Sequence, residues 1–259
     1  MYRCYNLIVK NNLPEEELEY DKKFDIPKAE FLEDIQSFIT DEKTLNAKKI
    51  IDNWFPEINA DIFISHSHAD LDYISRLTSL FKHLGLRTFV DSDVWGYSDE
   101  LLKNLDNEYC YNEEKGIYDY KTRNKTTSCV HMMLSSALAY MIDKCECIIF
   151  VNTPNSIVPS SYIKKEEKTY SPWLYNEMVL SQLIRVSEKV EHRRTQLIAE
   201  DSELKKKQTL NFLVEFPTKL THMTSITDHD LFHCLLISSL LNKKGHQVLD
   251  LLYAAFPEK

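Results

Sequence analysis

The sequence predicts an α/β fold in which a central parallel sheet carries helices on both faces, preceded by an N-terminal helical extension. Three observations carry this expectation. Short apolar runs, "ADIFIS" at Ala60–Ser65 and "CECIIFV" at Cys145–Val151, have the character of strands buried on both sides. Between and after them, apolar residues recur at helical spacing. Only four glycines occur in 259 residues, which disfavours glycine-rich phosphate loops and loop-heavy β architectures.

Residues 1–58 read as the helical extension, with strand character confined to Tyr5–Val9. After Pro27, Phe31, Leu32, Ile35, Phe38 and Ile39 share one stripe. Leu45, Ile50, Ile51 and Trp54 form a second, behind a Thr40 or Asp41 cap. The α/β domain is expected over 59–259. Its first strand, Ala60–Ser65, is followed by Ser67 and Asp70 in the spacing of a capping box. A helix then carries Leu71, Ile74, Leu77, Leu80, Phe81 and Leu84 inward until Gly85 stops it. "LRTFVD" at Leu86–Asp91 is the next strand, and strand, helix and strand together make a βαβ unit with a right-handed crossover.

A short helix is expected over 98–106, then a polar, aromatic-rich insertion or flap at about 107–127. A helix follows over 128–143, with Val130, Leu134, Leu138 and Met141 on one face. Cys145–Val151 is the third strand. Ser171 as cap and Pro172 at the first helical position open a helix over "SPWLYNEMVLSQLI". "TLNFLVEF" at Thr209–Phe216 is a fourth strand candidate and "TQLIA" a fifth. Two C-terminal helices, at about 228–241 and 245–256, close the chain.

Lys and Arg number 31 against 40 Asp and Glu, a net charge of −9. That balance argues against a nucleic-acid grip, which needs a positive stripe to displace phosphate counterions. No apolar run reaches the ~20 residues that cross a bilayer, and no secretory signal pattern opens the chain. The six cysteines show no C-x-x-C spacing, so reduced thiols and a cytoplasmic location are expected.

His66, His68 and Asp70 match the start of the H-x-H-x-D-H zinc motif of metallo-β-lactamase-like hydrolases, but Leu71 stands where the closing histidine belongs. Later ligands also lack the required context, so no metal is expected. Glu177 carries more information. At about 100° per residue it falls on the apolar face between Trp173, Leu174 and Ile184, with Ser181 above it. A carboxylate there is costly unless paired or used. The helix N-terminus one turn away would favour its ionised form. A structural ion pair and a catalytic carboxylate both satisfy these facts.

Four boxes occur in order: "ADIFISHSHAD", "LRTFVDSDVW", "CECIIFVNTP" and "SPWLYNEMVLS". Together, over roughly residues 59–217, they resemble the TIR (Toll/interleukin-1 receptor) domain family, whose fold is flavodoxin-like. The sequence departs from that pattern in lacking Pro-Gly after the second strand, in its long insertion, and in the extended approach to the Glu177 helix. The resemblance implies one of two roles. Many TIR domains cleave NAD⁺ at a glutamate in the W-x-x-x-E position, here Trp173 and Glu177; others are assembly modules.

The enzyme role implies Glu177 as catalytic residue, stabilising an oxocarbenium-like ribose as a cationic nicotinamide departs without a general acid. Ser65, His66, Ser67, Asp91, Ser92, Trp95 and Trp173 are the expected substrate-binding residues. NAD⁺ is then a substrate, with no separate cofactor. The resemblance further implies a bacterial anti-phage (Thoeris-like) setting, a homo-oligomer or TIR–TIR assembly, and a phage-derived trigger. The product is ADP-ribose or a cyclic or conjugated derivative. Two other classes stay open, a non-catalytic TIR scaffold and a nucleoside deoxyribosyltransferase-like enzyme.

Overall fold

The computed structural model describes residues 1–10, 35–39, 44–95, 98–157, 168–193 and 216–258. Along the chain lie β1 (Arg3–Ile8), a 3-10 turn at Ile35–Phe38, α1 (Ala47–Trp54) and β2 (Ile62–Ser65). A 3-10 turn at His68–Asp70 leads into α2 (Leu71–His83), β3 (Thr88–Val90), α3 (Asp91–Val94) and α4 (Ser98–Tyr109). The hairpin β4 (Tyr111–Asn112) and β5 (Ile117–Tyr118) precedes α5 (Tyr120–Lys144) and β6 (Cys147–Asn152). Then come β7 (Lys168–Thr169), α6 (Pro172–Leu183), α7 (Lys189–Arg193), β8 (Phe216–Pro217), β9 (Thr224–Thr227), α8 (Asp228–Leu240) and α9 (His246–Ala255).

Five strands form one sheet in the order β3-β2-β6-β1-β9, and every pairing is parallel. Alternate residues of each strand feed two cores. Phe63, Phe89, Ile148 and Phe150 pack with α1, α4, α5 and α6 on one face. Ile62, Ile64, Val90, Ile149 and Val151 pack with α2, α8 and α9 on the other. The fold is thus α/β with a helix-flanked parallel sheet, consistent with a flavodoxin-like architecture.

Counted from β2, the columns β3-β2-β6 follow the flavodoxin-like order 2-1-3. The next column is filled by the chain's own first strand: Arg3–Ile8 pairs with β6 on one side and β9 on the other. Residues 1–58 are therefore not a purely helical extension, because their opening segment is a central strand. Tyr5 and Leu7 point into the core with no exposed surface. The strand candidates at 209–216 and "TQLIA" lie outside the described residues except for Phe216, whose two-residue strand β8 pairs with β7 away from the main sheet. The outermost column is β9 instead.

Two further expectations change. The segment 107–127, expected as an insertion or flap, is largely regular structure. It holds the end of α4, the small β4–β5 hairpin and the first turns of α5, which starts at Tyr120 because Asp119 caps it by accepting from Thr122 N at 2.8 Å. Cys145 precedes β6 as the C-cap of α5, so it packs in the opposite core from Cys147. By contrast α2 ends at Gly85 as its sequence requires. That residue takes φ +76° and backs onto Gly245, whose N–H donates to Leu84 O at 2.8 Å.

The N-terminal edge of the sheet is locked by charge. Arg87 grips the buried Asp61 through both its backbone and its guanidinium, at 2.9 and 3.1 Å. Arg193 makes a two-pronged contact with the buried Glu146 at 2.8 and 2.9 Å, and His246 Nδ1 stands 3.3 Å from the same carboxylate. The opposite edge carries the candidate site. Among the described residues no helix is long and apolar enough to cross a membrane.

Candidate active site

The order in which strands are added to the sheet reverses about β2: its successor β3 lies on one side and the later β6 on the other. Open α/β sheets hold ligands beyond the carboxyl ends of strands at such a switch point. Ser65 ends β2 here, with its side chain on the face that α6 covers. Ser171 starts α6 by accepting from Leu174 N at 3.2 Å, with Pro172 in the first turn. That start sets the helix phase, so Leu174, Glu177, Met178 and Ser181 turn inward.

Glu177 is 4 % exposed, and Ser65 Oγ donates to its Oε2. Burial pushes the carboxyl well above the ordinary carboxylate range. The neighbouring Asp91 charge pushes the same way, and the Ser65 hydrogen bond pulls back. The helix N-terminus, expected to favour ionisation, is outweighed, and this arrangement favours the neutral acid. The seam beside Glu177, lined by Phe63, Phe150, Met178, Ser181 and Met223, leaves no room for a water molecule.

His66, next in the chain, belongs to a second cluster. Its Nε2 lies 3.0 Å from Ser92 Oγ, and its Nδ1 lies 3.8 Å from Asp91 Oδ1. Nδ1 is buried without a hydrogen-bond partner. Burial holds the imidazole pKa below its ordinary value, while the Asp91 carboxylate opposes that. Asp91 thus acts electrostatically on both Glu177 and His66.

The remaining expected binding residues go elsewhere. Ser67 is a turn cap, accepting from Ala69 N at 3.4 Å. Trp95 is packed into the core. It is 3 % exposed, meets Phe89 and Phe55 edge-on at 4.8 and 5.9 Å, and donates its indole N–H to Pro56 O at 3.2 Å. Trp173 is half-buried and sits edge-on to His131 of α5 at 5.3 Å, so it docks α6 onto α5. Ser135 and Asn176 bond across the same contact at 3.1 Å.

Two contacts had no readable signal in the sequence. Asp70, expected to be a cap and surface residue, accepts from Thr153 Oγ1 and Asn155 Nδ2, both at 2.6 Å. It thereby ties the turn after β2 to the turn after β6, and the reciprocal capping box with Ser67 is not formed. Ser181 Oγ lies 3.0 Å from His222 Nε2 behind Glu177. Of the three zinc-like residues, His66 and His68 stay neighbours with rings stacked at 5.9 Å, but His66 turns Nε2 to Ser92 and Asp70 is taken up by Thr153 and Asn155. Among the described residues no group of three or more His, Cys, Asp or Glu is placed to hold a metal ion.

Compared with known proteins, the chain matches no family model, no curated protein and no solved structure.

Proposed function

We propose that this chain is a TIR-type enzyme that cleaves the nicotinamide–ribose bond of NAD⁺. The products are nicotinamide and ADP-ribose, or a cyclic or conjugated ADP-ribose derivative acting as a signal in cytoplasmic anti-phage defence. One observation carries the reading: a glutamate buried in an apolar helix face is hydrogen-bonded to a serine at the carboxyl end of the switch-point strand. A buried carboxyl with a raised pKa in that position is a functional-site signature. The setting, the trigger and the assembly into TIR–TIR oligomers rest on the resemblance of the four boxes.

The chemistry needs one anionic group beside the ribose. Glu177 favours its proton while the seam is closed, and a bound nicotinamide cation supplies the positive charge that favours the carboxylate. As the C–N bond breaks, positive charge moves from the ring to the ribose, where a fixed carboxylate stabilises it. Ser65 orients that carboxylate. The closed seam means that α6 and the sheet edge must separate to admit a dinucleotide, a movement that assembly would supply.

The same closed seam favours a second reading, a non-catalytic TIR assembly module in which Glu177 and Ser65 form a structural contact. Nicotinamide release from NAD⁺ at high protein concentration separates the two. The enzyme reading expects release by the wild type and at least a 100-fold loss in a folded Glu177→Gln variant, within the range for electrostatic transition-state groups. Equal turnover by that variant, or a folded wild type that releases nothing, overturns it.

A further inference from the structure

The Asp91–His66–Ser92 cluster is unused by bond cleavage, which needs only Glu177, and its geometry is that of a proton path. His66 has no exposed side-chain surface, whereas Asp91 and Ser92 are both half-buried. Of these two, Ser92 alone stands within hydrogen-bond distance of the imidazole, so it is the member that links the ring to an outside group. Its hydroxyl stands 3.0 Å from Nε2. With Ser92 donating there, the ring proton sits on Nδ1, the nitrogen that faces the Asp91 carboxylate at 3.8 Å, a charge contact longer than a hydrogen bond. Carboxylate, imidazole and hydroxyl in that order are the parts of a general-base relay.

We propose that Ser92 and His66 deprotonate the acceptor hydroxyl that captures the ADP-ribosyl group, whether that hydroxyl is water or a ribose hydroxyl of the same dinucleotide. This inference rests on the NAD⁺-cleaving reading above. The C–N bond breaks with its electron pair leaving on neutral nicotinamide. The acceptor oxygen bonds to the anomeric carbon and passes its proton to Ser92 Oγ, as the Ser92 proton passes to His66 Nε2. Asp91 balances the imidazolium until the proton reaches solvent. The sum is NAD⁺ plus acceptor hydroxyl giving nicotinamide, an ADP-ribosyl ether or ADP-ribose, and one proton.

The groups that bear on the imidazole are Asp91, His68 and Asp70, and Asp91 also bears on Glu177. Burial and His68 disfavour the imidazolium while Asp91, the Ile64 backbone and Asp70 favour it; burial is the largest of these, so the ring's pKa lies below its ordinary value and the neutral, proton-accepting form is favoured.

The test is the pH profile of kcat for nicotinamide release from NAD⁺, with products separated chromatographically into ADP-ribose and its cyclic isomers. The wild type is expected to lose activity in acid as both Glu177 and His66 take up protons. Ser92→Ala and His66→Asn are expected to lower kcat about 10²-fold at neutral pH, reduce the acidic limb to the single step that Glu177 supplies, and leave KM within about twofold. Ser92→Thr keeps a hydroxyl and is expected to restore the neutral-pH kcat. ADP-ribose as sole product identifies water as the acceptor, and cyclic isomers identify the ribose hydroxyl. A wild type that turns over NAD⁺ while both variants keep its kcat at neutral pH overturns the relay alone. A folded wild type that releases no nicotinamide overturns the enzymatic reading and the relay together.

Discussion

Ser65 and Glu177 lie 112 positions apart in the chain, yet the serine hydroxyl is the hydrogen-bond donor to the buried carboxyl. β2 delivers one and the capped start of α6 the other, so the contact reports the docking of α6 on the sheet. Ser65→Ala leaves Glu177 buried without its donor. The expected cost is about 1–3 kcal/mol of stability, read as a lower urea midpoint with an unchanged m-value.

The raised pKa of Glu177 makes its own removal stabilising at neutral pH. Its folded pKa lies above the unfolded value, so its contribution is fully present below the unfolded pKa and is lost as pH rises toward the folded one. Glu177→Gln is expected to match the wild-type melting temperature near ~pH 4 and to exceed it at ~pH 7. Each kcal/mol regained is worth about 2–4 °C. Paired calorimetric scans at the two pH values check this, and a glutamine variant that melts lower at neutral pH sinks it.

Trp95 is expected to behave as a core residue. Trp95→Ala opens a cavity between Phe55 and Phe89 and orphans the Pro56 carbonyl. The expected loss is about 3–5 kcal/mol. If chemical denaturation instead shows a loss under about 1 kcal/mol, the packing described for this loop is wrong.

Arg193→Ala strips the two-pronged partner from Glu146, a carboxylate 1 % exposed. Breaking a buried pair from one side costs about 3–5 kcal/mol. The low end is expected, because Arg193 is a quarter exposed and His246 remains beside Glu146. Asp250→Asn, altering the half-exposed partner of the same arginine, should cost less than about 1 kcal/mol. Comparing the two variants' urea midpoints ranks the contacts.

Gly85→Ala places a Cβ at φ +76° and 3.4 Å from Gly245 N. The left-handed backbone alone costs about 1–2 kcal/mol. Thermal melts should show the loss for alanine, with asparagine at the same position milder than alanine.

Much of this architecture was written in local patterns. The β2–α2–β3 unit, the Gly85 stop and the Ser171–Pro172 start all depend on residues within a turn or two of one another, so spacing alone reveals them. Glu177 announced itself for the same reason, as a charge in an apolar helical stripe. β1 did not. Its "RCYNLI" is short and half polar, and its strand character comes from pairing with β6 and β9, far along the chain. Asp70 was misread because its partners, Thr153 and Asn155, arrive from another loop. Trp95 sits in an acidic stretch that looks solvated, and only the approach of Phe55 from α1's end makes it core.

The place of β1 also sets an order of events during biosynthesis. Arg3 pairs with Cys147 and Tyr5 with Thr224, so β1 has no sheet partner until β6, well over a hundred residues later, has left the ribosome. Local βαβ structure can form early, whereas the sheet closes only through contacts of very high sequence separation, which are slow to form. Until β6 arrives the buried faces of β1 are uncovered, and a nascent chain stalled before β6 would be a natural client for a chaperone.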